Sequence, residues 1–293
     1  MKYLTYLITY SFLWCISILP FPILYLFSDF VYFLVYRVIG YRKKTVRNNI
    51  KMAFPEYSDK EVLDVEKSFY KYMCDMFLEM IKTMSITQDE MIRRYQIKNL
   101  EVIKGYEKKQ KSIILMCSHY ASWEWVIGMA KYLDTDAYGI YKKIANPYFD
   151  KLVRDIRSKF NGILVDTKHT VSTIKHNESK GIHATYFLIS DQTPRLSISN
   201  YWHPFMGINT PIHTGPEKLA KDMDMNVLYL KVSRIKRGFY EAEFIEITDN
   251  PRSTPEHYIT NTFLDIVEKQ IKAEPRYYFW THKRWKHKEP KVK

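Results

Sequence analysis

From Ile97 to the end of the chain, short apolar runs alternate with segments of helical period, and this alternation limits the fold more than any other feature. Residues 112–117, 136–141, 162–165, 183–189, 226–232 and 239–247 read as strands. Helical patterns fill most of the gaps, and a further one covers 255–273. Strands separated by helices imply a mainly parallel or mixed α/β sheet with helices on its faces. The chain has 293 residues, 46% of them hydrophobic and 16% aromatic, which is enough for one large core and excludes disorder. No internal repeat, low-complexity tract or linker interrupts it, and with nine glycines it has no Gly-rich nucleotide loop.

The start of the chain is different in kind. Apart from Lys2, the first 36 residues hold one charged side chain, Asp29. Pro20 and Pro22 split the stretch into two apolar runs of about 17 residues, at the short end for crossing a bilayer. Arg37, Arg42, Lys43, Lys44 and Arg47 follow, a cluster that the positive-inside rule assigns to the cytoplasm. The expected organisation is therefore a hydrophobic membrane anchor over residues 1–40 and an α/β domain over 41–293. The anchor is read as one spanning helix or two dipping ones, against the alternative of a buried helical hairpin. Formal charge of +13 favours anionic partners, and on charge alone nucleic acid, anionic lipid and phosphorylated substrates all qualify.

Chemistry concentrates where the run Ile113–Cys117 gives way to His119-Tyr-Ala-Ser-Trp-Glu124. The carboxyl end of a strand is where open α/β sheets place their sites. Five residues apart on one helix, His119 and Glu124 would point away from each other. They meet only if His119 lies in the loop and Glu124 in the first turns of a following helix. A carboxylate would then orient the imidazole and leave its other nitrogen free to take a proton. The plainer alternative is a helix cap and a residue that complements the helix dipole.

Cys15, Cys74 and Cys117 have no paired spacing, which argues against disulfides or a zinc site, and Cys117 is expected in the core. His169, His176 and His183 recur every seven residues, but a metal site would need them to converge with another ligand. Ser58 to Glu61 and Thr87 to Glu90 each fit a capping box. The methionine-rich stripe after Ser58 is most simply core packing, with an acyl-chain tunnel as the alternative. Asn146-Pro147 opens another helix, on which Asp150, Arg154 and Arg157 share a face.

Four blocks in order give the chain a resemblance. They are His119 to Glu124; Tyr141-Lys142-Lys143 with Asn146, Asp150, Arg154, Arg157 and Gly162; Asp191-Gln192-Thr-Pro194 with Phe205-Met-Gly207 and Thr214-Gly215; and Pro275-Arg-Tyr-Tyr-Phe-Trp280-Thr-His282-Lys-Arg284-Trp285-Lys286. Together they resemble the late acyltransferases of lipid A biosynthesis, within the wider H-x4-D/E glycerolipid acyltransferase group. The stretch Tyr201 to Gly207 departs from that family's Phe-Phe-Gly spelling.

The resemblance implies a membrane-associated O-acyltransferase on the cytoplasmic face of a bacterial inner membrane. Its donor would be acyl-acyl carrier protein, its acceptor a hydroxyl of an anionic lipid A precursor. It implies His119 as general base, Glu124 as its partner and Arg157 as the group binding an anion or the developing oxyanion. Tyr141, Lys142, Asn146, Asp150, Asp191 and Gln192 would bind substrate. No metal, organic cofactor or nucleic acid is implied, and the basic aromatic C-terminal run is assigned to the bilayer interface. The alternatives are acylation of another lipid, such as a lysophospholipid or aminoacyl lipid, and a non-enzymatic membrane-binding protein.

Overall fold

The computed structural model describes residues 2–288. Two apolar helices open it: α1 (Lys2–Ile18), and α2 (Phe21–Tyr32), which continues through a π-helical stretch at Phe33–Ile39. Pro20 breaks α1 from α2, and Pro22 is accommodated in the first turn of α2, where a missing N–H costs nothing. Next come α3 (Lys43–Ala53), α4 (Asp59–Lys82) and α5 (Gln88–Arg94). Ser58 and Glu61 form the expected reciprocal capping box on α4. Thr87 caps α5, but the Glu90 carboxylate turns to Arg93 and Arg94 instead of back to the cap. The methionine stripe of α4, including Met73 and Met76, is core packing.

The remaining chain builds a seven-stranded sheet. In sequence order come β1 (Tyr95–Ile97), α6 (Leu100–Glu107), β2 (Ile113–Cys117), a 3-10 segment at Val126–Tyr132 and β3 (Asp136–Tyr141). Then follow α7 (Pro147–Ser158), β4 (Gly162–Asp166), α8 (Thr170–Ser179) and β5 (Ala184–Ile189). A small hairpin, β6 (Trp202–Phe205) and β7 (Ile208–Pro211), precedes α9 (Gly215–Met223), β8 (Asn226–Lys236), β9 (Phe239–Thr248) and α10 (Tyr258–Ala273).

The order across the sheet is β1-β9-β8-β2-β5-β3-β4. From β8 to β4 every pairing is parallel, whereas β8 and β9 pair antiparallel and β1 runs with β9. The six strands read from the alternation are all present, and the fold class is α/β with a mostly parallel sheet flanked by helices. All five residues of β2 are buried, as a central parallel strand covered on both faces requires.

Two features were not expected. Strand β1 has three residues, too few for a period to register. The β6–β7 hairpin turns on Met206 and Gly207, both at positive φ (52° and 71°), as a two-residue loop demands. Its strands carry Pro204 and Pro211, which mask a strand signal. The hairpin occupies the stretch where the spelling departs from Phe-Phe-Gly.

The C-terminal run folds inward. Trp280 and Trp285 are 0% and 3% exposed, and Arg284 is buried among Thr193, Thr210 and the Pro211 carbonyl. The bilayer-interface assignment is thus corrected for the rings of this segment. They interlock with one another and with Phe205 and Phe54 in a way that composition does not reveal.

Candidate active site

Strands β2, β5 and β3 are neighbours in the sheet, so the segments leaving their carboxyl ends converge. His119 leaves β2, Asp191 and Gln192 leave β5, and Tyr141 and Lys142 close β3. Between them and α7 lies a cavity of about 540 Å³. Its apolar wall includes Val126, Val153, Leu164, Phe187 and Ile189; its polar rim includes His119, Glu124, Lys142, Arg157 and Gln192.

His119 sits in the loop, as expected, but its carboxylate partner is Asp191. One Asp191 oxygen lies 2.8 Å from His119 Nδ1 and accepts the His119 backbone N–H at 3.0 Å. Burial of Asp191 would raise its pKa, but the facing imidazole and these hydrogen bonds hold it below the usual carboxylate value. An ionised carboxylate only accepts, so Nδ1 must be the protonated nitrogen. Nε2 then keeps its lone pair, the form a general base needs.

The ring is also held mechanically. Phe279 stacks along it at 6.1 Å between centroids and 21° between planes, and Trp123 meets it edge-on at 5.5 Å. The Phe279 N–H donates to the His119 carbonyl, and the Ala121 N–H to the Tyr277 carbonyl, so the C-terminal segment straps the loop in place.

Glu124 does something else. The residues between His119 and the 3-10 segment form irregular turns, and the expected regular helix is absent there. Glu124 instead forms a bidentate pair with Arg157 of α7, at 2.9–3.1 Å. The expectation that Glu124 orients His119 is therefore corrected: its oxygens are committed to a guanidinium, and the carboxylate at Nδ1 comes from another strand. The guanidinium of Arg157, a cavity-lining residue, uses Nε and Nη2 on Glu124, which turns Nη1 away from that carboxylate.

The remaining candidates divide. Tyr141, Lys142 and Gln192 line the cavity. Asn146 caps α7 by accepting the Tyr148 N–H. Asp150 is 5% exposed, accepts the Ile144 N–H at 2.8 Å and faces the Tyr141 hydroxyl, so it shapes the β3–α7 loop and does not face the cavity. Asp191 is fully buried behind His119, so its assignment to substrate contact is likewise corrected.

Cys117 is packed in β2 and its thiol is pushed well up by burial, which makes it no nucleophile. His169, His176 and His183 are all exposed, and among the described residues no cluster of three or more His, Cys, Asp or Glu is placed to hold a metal.

A base and a cation that line one roomy cavity with an apolar wall equip the site for transfer of an acyl group to an external hydroxyl. Comparison with known proteins points the same way. The family model described as bacterial lipid A biosynthesis acyltransferase matches residues 1–287. The lipid A biosynthesis lauroyltransferase of Escherichia coli (strain K12) is 25% identical over 282 residues, covering 94% of this chain and 89% of that protein. The chain belongs to the bacterial lipid A biosynthesis acyltransferase family and is an O-acyltransferase.

Proposed function

We propose that the protein moves a fatty acyl chain from acyl-acyl carrier protein to a hydroxyl of a lipid A precursor, at the cytoplasmic face of the bacterial inner membrane. The observation that carries this reading is His119 at an apolar-walled cavity, its Nδ1 backed by Asp191 and Nε2 thereby left to act as base, with Arg157 lining the same cavity. His119 Nε2 takes the proton of the acceptor hydroxyl as its oxygen attacks the thioester carbonyl. Arg157 Nη1 stabilises the oxyanion that forms, and Glu124 holds the guanidinium in place. Collapse of the tetrahedral intermediate breaks the C–S bond. The proton returns from the imidazolium to the leaving sulfur, and an ester and a free thiol remain. Asp191 stabilises the imidazolium between the two proton transfers.

The charge of +13 supports the choice of substrates, because an acidic carrier and a polyanionic lipid are both attracted to it. Membrane association is supported by the apolar N-terminal helices and the basic residues after them. The test is transfer of labelled chains from acyl carrier protein into a panel of membrane lipids by wild type and His119→Ala. Incorporation into the lipid A precursor by wild type only is the expected result. Incorporation into a lysophospholipid instead keeps the base and changes the acceptor. No transfer by wild type across several chain lengths overturns the donor assignment.

A further inference from the structure

The helix Phe21–Ile39 is long and apolar enough, by length and composition, to cross a membrane. Yet one face of it is latched to the folded domain along most of its length. The Tyr25 hydroxyl donates to Glu79, Ser28 to Asp75 and Tyr36 to Glu66. Asp29 accepts two bonds from Arg237. From Tyr25 to Tyr36 the helix rises about 16 Å, half a hydrocarbon core.

The partners are ionisable groups, most of them in the domain interior. Asp75 also binds Arg234 and Arg237, Glu66 binds Arg47, and Glu79 accepts from Tyr240. Drawing this helix through a bilayer would carry those charges into hydrocarbon or break every one of the bonds. Charged side chains at the bilayer centre are strongly disfavoured.

Helix α1 is held at both ends. Tyr3 and Tyr6 pack on Tyr148 and Phe149 at the start of α7, and the Ser17 carbonyl accepts from Lys82 and Ser85. Away from these contacts, Leu4, Ile8, Phe12, Leu26, Phe30 and Phe33 are each more than half exposed. Arg37, Arg42 and Lys44 stand exposed just beyond. An apolar helical face flanked by cations is the pattern of a helix lying in an anionic interface.

We propose that α1 and the Phe21–Ile39 helix lie in the plane of one anionic leaflet and do not cross it, with the cavity opening at that leaflet. This rests on the membrane reading above. Tyr3 packs on Tyr148 at the start of α7, and the loop leading into α7 carries Ile144, which is 37% exposed and lines the cavity. A lipid acceptor therefore reaches His119 sideways, its phosphates in the headgroup layer and its chains still in the leaflet.

The test is nitroxide depth measurement on the full chain in phosphatidylethanolamine–phosphatidylglycerol vesicles. Four single labels replace exposed residues in turn, at Ile23→Cys, Leu26→Cys, Phe30→Cys and Phe33→Cys, in a Cys15→Ser background; Cys74 and Cys117 are buried. Acyl transfer in detergent checks that each labelled protein is folded. Four similar, shallow depths are expected. A depth that changes by about 15 Å from position 23 to position 33 overturns the in-plane arrangement and keeps membrane binding. Four labels as accessible to water-soluble relaxation agents as in detergent-free solution overturn the membrane reading itself.

Discussion

Two carboxylates serve this site in opposite ways. Asp191 is sealed behind the imidazole, with no exposure of its side chain, and its partner is the His119 ring. Glu124 is 8% exposed at the cavity wall and its partner is a permanent cation, 28% exposed. The first couple sets which nitrogen carries the proton; the second sets where a positive charge sits. Burial and partner, not the acid itself, decide the role, and the two couples should fail differently when broken.

The largest loss is expected from Asp191→Asn. An amide can donate to Nδ1 and favour the wrong tautomer, a change that costs on the order of 10³–10⁴ in kcat in histidine–aspartate systems. The measurement is kcat against pH for transfer from acyl carrier protein, and the profile should change shape along with its height. A loss under tenfold with an unchanged profile would show that the Asp191 contact is structural only.

Arg157→Ala should lower kcat by about 10²–10³, the usual cost of one oxyanion donor, and leave the pH profile as it was. Arg157→Lys should recover little of this, because an ammonium cannot reproduce the bidentate fork on Glu124. If Glu124 acts only through Arg157, Glu124→Gln adds nothing once Arg157 is gone, so the double variant should match Arg157→Ala alone. A further tenfold loss in the double variant would give Glu124 a role of its own and blur the distinction between the couples.

Phe279→Ala should cost about 10–10²-fold in kcat with little change in KM, since it frees the ring that Asp191 aims. Phe279→Trp, which keeps a stacking face, should restore most of the rate. Equal damage by both would mean that the strap matters for folding and not for aim.

The contrast also explains what could be read from the sequence. His119 was legible because its strand is an unbroken apolar run that ends two residues earlier. Glu124 was legible as a site residue by its spacing, but its partner was not. Spacing describes neighbours along the chain, while Asp191 lies 72 residues away and meets His119 only because β5 docks beside β2. Adjacency of parallel strands is set by crossovers and packing, neither of which has a local signature.

The two aromatic, basic ends of the chain make the same point. The N-terminal helices turn many of their rings outward and the C-terminal run buries Trp280, Arg284 and Trp285, although their compositions overlap. The partners differ: Arg284 finds Thr210 and a carbonyl in the interior, whereas Arg37 is exposed and lies over the face of Tyr36.

The smallest effect concerns stability and separates the couples once more. Asp191 shares the interior with His282, whose pKa is pushed down to about 4 chiefly by burial. The folded protein keeps His282 neutral while the unfolded chain would protonate it near 6.5, so the unfolded state binds more protons between these values. Stability from this group is therefore full above pH 6.5 and is lost as the pH falls towards 4. Glu79, raised to about 7 by burial, acts in the opposite sense: its contribution grows as the pH falls from 7 towards the ordinary glutamate value. His282→Gln should thus remove a destabilisation on acidification, so that its Tm relative to wild type climbs from pH 6.5 to 4.5, whereas Glu79→Gln should make the relative Tm fall over the same range. Gln192→Ala, which removes an uncharged side chain from the cavity wall, should leave the slope of Tm against pH unchanged. Thermal unfolding at half-unit intervals of pH reads all three, and parallel curves for wild type and His282→Gln would mean that His282 is charged in the folded state and that the interior around Asp191 is wetter than its packing implies.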